Sequence, residues 1–164
     1  ILKEYCTIEE EDTLGTLHDK LKKIGAKGLE KAINLIESGK VIAEKQDESL
    51  VTFVKPISKE QEVIDWSDTK ENIYNKIRGL NPFPGALSYY DDQIIKVYLS
   101  EKIDKEYDGE YGEVVEIINK KGPVVKVKNG GIILKEVKFQ GKKSQSGIDI
   151  INGRKIILNR KFGK

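Results

Sequence analysis

The sequence predicts an α+β chain, helical in its first half and a small β-barrel in its second. Three observations carry that prediction. Up to residue 77 the apolar residues recur at three- and four-residue steps, the spacing of one helix face. Beyond residue 86 they come in short β-branched runs cut by Gly and Asn, which is strand and turn chemistry. Between the two lies Ile77-Arg78-Gly79-Leu80-Asn81-Pro82-Phe83-Pro84-Gly85-Ala86. Its prolines fix φ and push Asn81 and Phe83 toward extended geometry, so a helix entering this stretch ends there.

Composition sets the bounds. With 38% hydrophobic and 34% charged residues among 164, the chain can bury a core and is not of disordered type. No apolar run approaches membrane-spanning length, and the N-terminus lacks a secretory pattern. A single cysteine, Cys6, cannot pair internally, so a reducing cytoplasm is the expected compartment. One His and no ligand spacing argue against zinc, and no metal is expected. The net charge of +2 hides an asymmetry: residues 117 to 164 hold 13 Lys and Arg against Glu136 and Asp149, and the first 116 hold 16 against 25 acids. A balance of +11 beside one of −9 points to a polyanionic partner met by one end of the chain.

Taken in order, Ile1 to Ile8 reads as a strand. Thr13 then N-caps a helix to about Ser38, with Leu14, Leu17, Leu21, Ile24, Leu29, Ala32 and Ile36 along one face and Gly39 at the C-terminal stop. A lone helix after a lone strand has no layer to lie on. His18 reads as an exposed helical residue and Cys6 as a strand residue; neither has a catalytic neighbour. Lys40 to Ser58 is polar and weakly extended, with one β-like run at Val51 to Val54, and reads as an ordered linker between domains. Asp68 and Glu71 form a capping box for a second helix that buries Ile73, Ile77 and Leu80. Trp66 reads as a core anchor.

Five strands follow, at Ala86 to Tyr90, Ile94 to Leu99, Glu113 to Ile118, Val124 to Lys128 and Ile132 to Phe139. Their separators are Asp91-Asp92, the loop around Asp108-Gly109, Asn119 to Gly122 and Asn129-Gly130-Gly131. Alternation in Val125-Lys126-Val127-Lys128 and Val137-Lys138-Phe139 predicts a wet, basic face. Five short strands closing on themselves fit a five-stranded OB-like β-barrel with a leading helix as plug or lid. The tail carries a short helix at about Ile148 to Asn152 and packs its apolar residues on the barrel with its cations outward.

Several stretches resemble the C-terminal portion of the methionyl-tRNA formyltransferase family. These are Glu11-Asp12-Thr13 with Gly15-Thr16-Leu17-His18-Asp19-Lys20-Leu21, Gln46-Asp47-Glu48 with Thr52, Ile57-Ser58-Lys59-Glu60 running to Ile64-Asp65-Trp66, and Ile77 to Ala86, where the family commonly has Trp at the position of Phe83. The resemblance implies that residues 1–40 are the last strand and helix of a truncated Rossmann-like α/β formyltransferase domain, 41–61 the interdomain linker, and 62–164 a C-terminal OB-like tRNA-binding domain. Family members pass a formyl group from 10-formyltetrahydrofolate to the amino group of methionyl initiator tRNA.

The amine attacks the formyl carbon while an oxyanion is stabilised and a proton removed. The family uses an Asn, a His in a Ser-Leu-Leu-Pro context and an Asp near Gly-Asp-Ile; this chain matches none of them, and His18 lies outside that motif. The resemblance therefore places catalysis and the folate outside this chain, which is expected to be inactive alone, and leaves it tRNA binding, with a monomeric parent enzyme. The basic residues that would carry that role are Lys126, Lys128, Lys135, Lys138, Lys142, Lys143, Arg154, Lys155, Arg160 and Lys161. Two other readings compete: a related folate-dependent formyltransferase acting on a nucleotide sugar, and a free-standing nucleic-acid-binding barrel.

Overall fold

The computed structural model describes residues 1–163, and the chain divides into two compact units, Ile1–Pro56 and Ile57–Lys164. In the first unit α1 runs Leu14–Glu37, capped as its sequence predicts. Thr13 Oγ1 accepts from Thr16 N, and Thr16 Oγ1 accepts from Thr13 N at 2.9 Å. Ser38 is the C-cap, and Gly39 follows at φ 65°. Leu21, Leu29 and Ile36 on its apolar stripe are at least half exposed. Residues 1–9 form no strand, against the expectation for Ile1 to Ile8: apolar alternation makes a strand only where a second strand accepts its ladder. Val51 to Val54 fails in the same way, with Phe53 93% exposed. A 3₁₀ turn at Glu48–Leu50, capped by Asp47, is the regular element of that stretch.

The second unit opens with a short helix that the sequence reading did not separate from the linker, α2 (Lys59–Glu62), whose Gln61 side chain accepts from Ser58 N. The next helix, α3 (Lys70–Gly79), buries Ile73 and Ile77. Its N-cap is Thr69 and not Asp68: Thr69 Oγ1 accepts from Asn72 N, while Asp68 Oδ1 takes the Asn72 side-chain amide at 2.8 Å. Helix α3 lies on the sheet, mostly against its second strand.

Among the described residues the sheet has six strands, β1 (Ala86–Tyr90), β2 (Gln93–Ile103), β3 (Val114–Ile118), β4 (Gly122–Val127), β5 (Gly130–Phe139) and β6 (Gln145–Ser146). All pairings are antiparallel, in the order β1-β2-β5-β4-β3, with β6 added to β5. The predicted count of five missed β6, which is two residues long and carries no periodicity to read. Asp91 and Asp92, both at positive φ, make the two-residue turn between β1 and β2. Gly130 and Gly131 belong to β5 and not to the turn. A Cβ on Gly131 would stand 2.7 Å from Val124 Cγ1 of the neighbouring β4, so the glycine leaves room for the side chains that crowd this point of the sheet.

The outer strands β1 and β3 do not pair with each other, so the sheet is open where a closed barrel was expected. The tail fills the interval instead. Phe162 N donates to Gly112 O, Val114 N to Arg160 O, Asn159 N to Val114 O and Gly163 N to Tyr89 O, all within 3.1 Å. Before it, α4 (Gly147–Asn152) is held by a capping box between Ser146 and Asp149 and buries Ile150. Ile156 and Phe162 are buried too, whereas Ile148, Ile157 and Leu158 remain over 40% exposed; the tail packs through alternate residues.

The core sits between α3, the inner face of the sheet and this tail. Trp66 is 4% exposed, as expected of an anchor. Its Nε1 donates to Ser88 Oγ at 2.9 Å, and its ring lies 5.3 Å from that of Phe162, which in turn lies 4.8 Å from Tyr90. Burial raises the Tyr90 hydroxyl above its usual range, and that hydroxyl accepts from Ile157 N at 3.0 Å.

Candidate nucleic-acid interface

Strand alternation decides which cations face water. On β4, Val125 and Val127 join the core and Lys126 faces out; on β5, Val137 and Phe139 join the core and Lys138 faces out. The ten predicted binding residues then separate by what they touch. Lys126 donates to Gly109 O at 2.8 Å and stands 5.8 Å from the Tyr111 ring centre. Lys161 pairs with Glu110 at 2.6 Å and holds that carboxyl below the usual carboxylate range. Arg160 approaches Asp91 at 3.8 Å, Lys135 approaches Glu101 at 3.6 Å, and Lys155 donates to Gln145 Oε1 at 2.7 Å. Lys121, which was not among the ten, also pairs with Glu101 and is the main cause of that carboxyl's lowered pKa.

Lys128, Lys138, Lys142, Lys143 and Arg154 have no ion-pair partner among the described residues, and all five are exposed. Three of these stand together: Lys138 near the end of β5 with Lys142 and Lys143 in the turn beyond it, where Lys142 N donates to Phe139 O. A cation already neutralised within the fold gains less from a phosphate than one that is not. The β5 end is therefore the part of the basic half best prepared for an anion. Lys126 and Lys161 line a second, polar cleft of about 670 Å³ with Asp65, Ser67 and Tyr111.

Beside the β5 end lies a groove of about 900 Å³ that the sequence reading missed. Its floor is the outer face of the first strands: Leu87 and Tyr89 on β1, then Ile94, Lys96 and Tyr98 on β2. One wall is the proline turn, where Phe83 is 78% exposed; the other includes Lys59 and Glu62 from α2. Lys96 Nζ donates to Pro84 O and lies 3.6 Å from Glu62. The signal for this face was the alternate set Ile94, Lys96, Tyr98, interleaved with the core residues Ile95 and Val97. Among the described residues no group of three or more His, Cys, Asp or Glu could hold a metal ion, and no helix is long and apolar enough to cross a membrane. His18 is an exposed helical residue 3.7 Å from Asp19.

Comparison with known proteins agrees with the resemblance read from the sequence. Methionyl-tRNA formyltransferase of Fusobacterium nucleatum subsp. nucleatum is 48% identical over 163 residues, which are 99% of this chain and 53% of that protein. The enzyme of the same name from Bacillus subtilis strain 168 is 42% identical over 93% of this chain and 48% of its own length. The chain thus spans about half the length of these relatives. Among solved structures, HypX from Aquifex aeolicus in complex with tetrahydrofolic acid superposes with a TM-score of 0.62 over 79% of this chain and 23% of its own, at 15% identity, a likeness of fold. The family model described as formyl transferase, C-terminal domain, matches residues 56–155. The chain belongs to that family.

Proposed function

We propose that this chain is the C-terminal half of a methionyl-tRNA formyltransferase, the part that holds initiator methionyl-tRNA while formyl transfer from 10-formyltetrahydrofolate is carried out by residues outside it. The observation that carries this reading is near-complete coverage of the chain by relatives of that name that are about twice as long. On this reading residues 1–40 are the end of a Rossmann-like domain, 41–61 the linker, and 62–164 an OB-like domain whose open seam the tail completes. The exposed stripe of Leu21, Leu29 and Ile36 on α1 supports it, because an apolar face of that kind normally lies under another layer. The folate site and the catalytic groups lie outside these residues, so the chain alone binds tRNA without formylating it. Its setting would be the cytoplasm, where initiator tRNA is charged, and the parent enzyme would work as a monomer.

The +11 balance after residue 116 favours a tRNA over a nucleotide sugar, whose few phosphates need few cations. The test is binding of initiator tRNA to this chain across a salt series, with a nucleotide sugar as control. Each neutralised phosphate contributes about 0.7 to 0.9 to the logarithmic salt slope. A steep slope with tRNA and none with the sugar is expected; binding of the sugar alone, or of neither, overturns the reading.

A further inference from the structure

The groove beside the proline turn joins aromatic rings to an unpaired cation. Phe83 stands out from its wall, and the Tyr89 and Tyr98 side chains line its floor. Across that floor Lys96 of β2 and Lys138 of β5 are register partners, and like charges placed directly opposite one another in a sheet repel. Lys96 is satisfied by Pro84 O and Glu62. Lys138 has no such partner among the described residues, and Lys142 and Lys143 follow it. Glu60, which also lines the groove, is held below the usual carboxylate range chiefly by its hydrogen bond to Ser58.

We propose that this groove takes an unpaired nucleotide of a bound RNA, its base against the Phe83 and tyrosine rings and its phosphate on Lys138. The proposal rests on the tRNA reading above and gives one part of the RNA a place. Every base offers a π-face to an aromatic platform, but only when it is free of its own stack, so such a site selects single strands, loops or ends over duplex. A volume of about 900 Å³ lies within the range of pockets that enclose small ligands. A peptide adding itself as a strand is a poorer occupant. The free edge of β1 is already used, since Ile64 N donates to Leu87 O and Gly163 N to Tyr89 O.

The test compares a labelled single-stranded octaribonucleotide, the same sequence as duplex, and initiator tRNA, each titrated against this chain by fluorescence anisotropy over a salt series. The single strand is expected to bind more tightly than the duplex. Phe83→Ala should weaken the single strand about tenfold with Tm and salt slope unchanged, because the loss is of stacking. Lys138→Glu should lower the salt slope by about one or more and raise Tm, because it replaces the repulsion with Lys96 by an attraction. If tRNA binds with a steep slope and both variants bind as the parent does, the groove is not used and the tRNA reading stands. If neither RNA binds at low salt, both fall.

Discussion

The side-chain amide of Asn81 donates to the backbone carbonyl of Tyr98 at 2.9 Å, joining the proline turn to a residue seventeen positions away. Tyr98 lies where the β2–β5 register shifts, between the partnered residues Val97 and Leu99. Its carbonyl is therefore spare, and a residue from outside the sheet can take it. The bond places Phe83 over the groove, since the same turn is fixed at its other end by Gly85 N donating to Leu80 O.

Replacing Asn81 by Ala leaves a half-buried carbonyl unpaired and frees the turn. The expected cost is about 1–3 kcal/mol, read as a lower urea midpoint with unchanged m-value. An equal midpoint would mean that water or a neighbour replaces the amide.

Gly85 has φ +83°, and a Cβ there would stand 2.8 Å from Tyr98 Cε1. Gly85→Ala should therefore destabilise the chain by about 1–3 kcal/mol and displace the Tyr98 ring, which thermal melting and aromatic NMR shifts would each report. A pure backbone effect would lower Tm and leave the ring shifts in place.

Ser88 is 1% exposed and accepts from Trp66 Nε1. Ser88→Ala keeps the only tryptophan as a fluorophore while removing the acceptor of its buried N–H. We expect a loss of about 1–3 kcal/mol, measured by denaturation followed at Trp66 emission. A loss well below that would show that the indole finds another acceptor.

Asp12 receives Lys20 Nζ at 2.6 Å, Glu9 N at 2.8 Å and Thr16 Oγ1 at 2.9 Å. Chiefly through Lys20, its pKa falls from 3.8 to about 2. A carboxyl with a lowered folded-state pKa stabilises the fold above its unfolded value and loses that contribution as pH falls through the folded one. Protection of the first-turn amides of α1 should thus be flat above about pH 4 and fall between about 4 and 2. Asp12→Asn should remove that pH dependence, and persistence of the fall in the variant would assign it elsewhere.

Much of this architecture could be read in the chain, and the reasons for the rest are physical. The caps of α1 at Thr13 and Gly39 and the buried face of α3 depend on neighbours a few residues away, which a sequence displays. Residues 1–8 and 51–54 have strand-like composition, but a strand is a relation between two segments, and no partner strand meets them among the described residues. The shift of the α3 cap from Asp68 to Thr69 is a choice between adjacent oxygens that only backbone geometry makes. Of the predicted binding cations, Lys135, Arg160 and Lys161 meet Glu101, Asp91 and Glu110 across 34, 69 and 51 positions of chain. Charge counting cannot see such pairs, nor could it see that Phe83 and Lys138 would border one groove.

The segment 159–163 also imposes an order of events on the ribosome. A polypeptide emerges N-terminus first, so all six strands are delivered before the stretch that stitches Gly112 and Val114 to Tyr89. Until it arrives, the nascent sheet has its β3 margin, and its β1 margin beyond the Ile64–Leu87 bond, with donors and acceptors unfilled, the condition in which neighbouring nascent chains pair with each other. A stop codon or a protease cut just ahead of Asn159 would leave that condition permanent. The product would then be prone to aggregation although every strand of the sheet had been made.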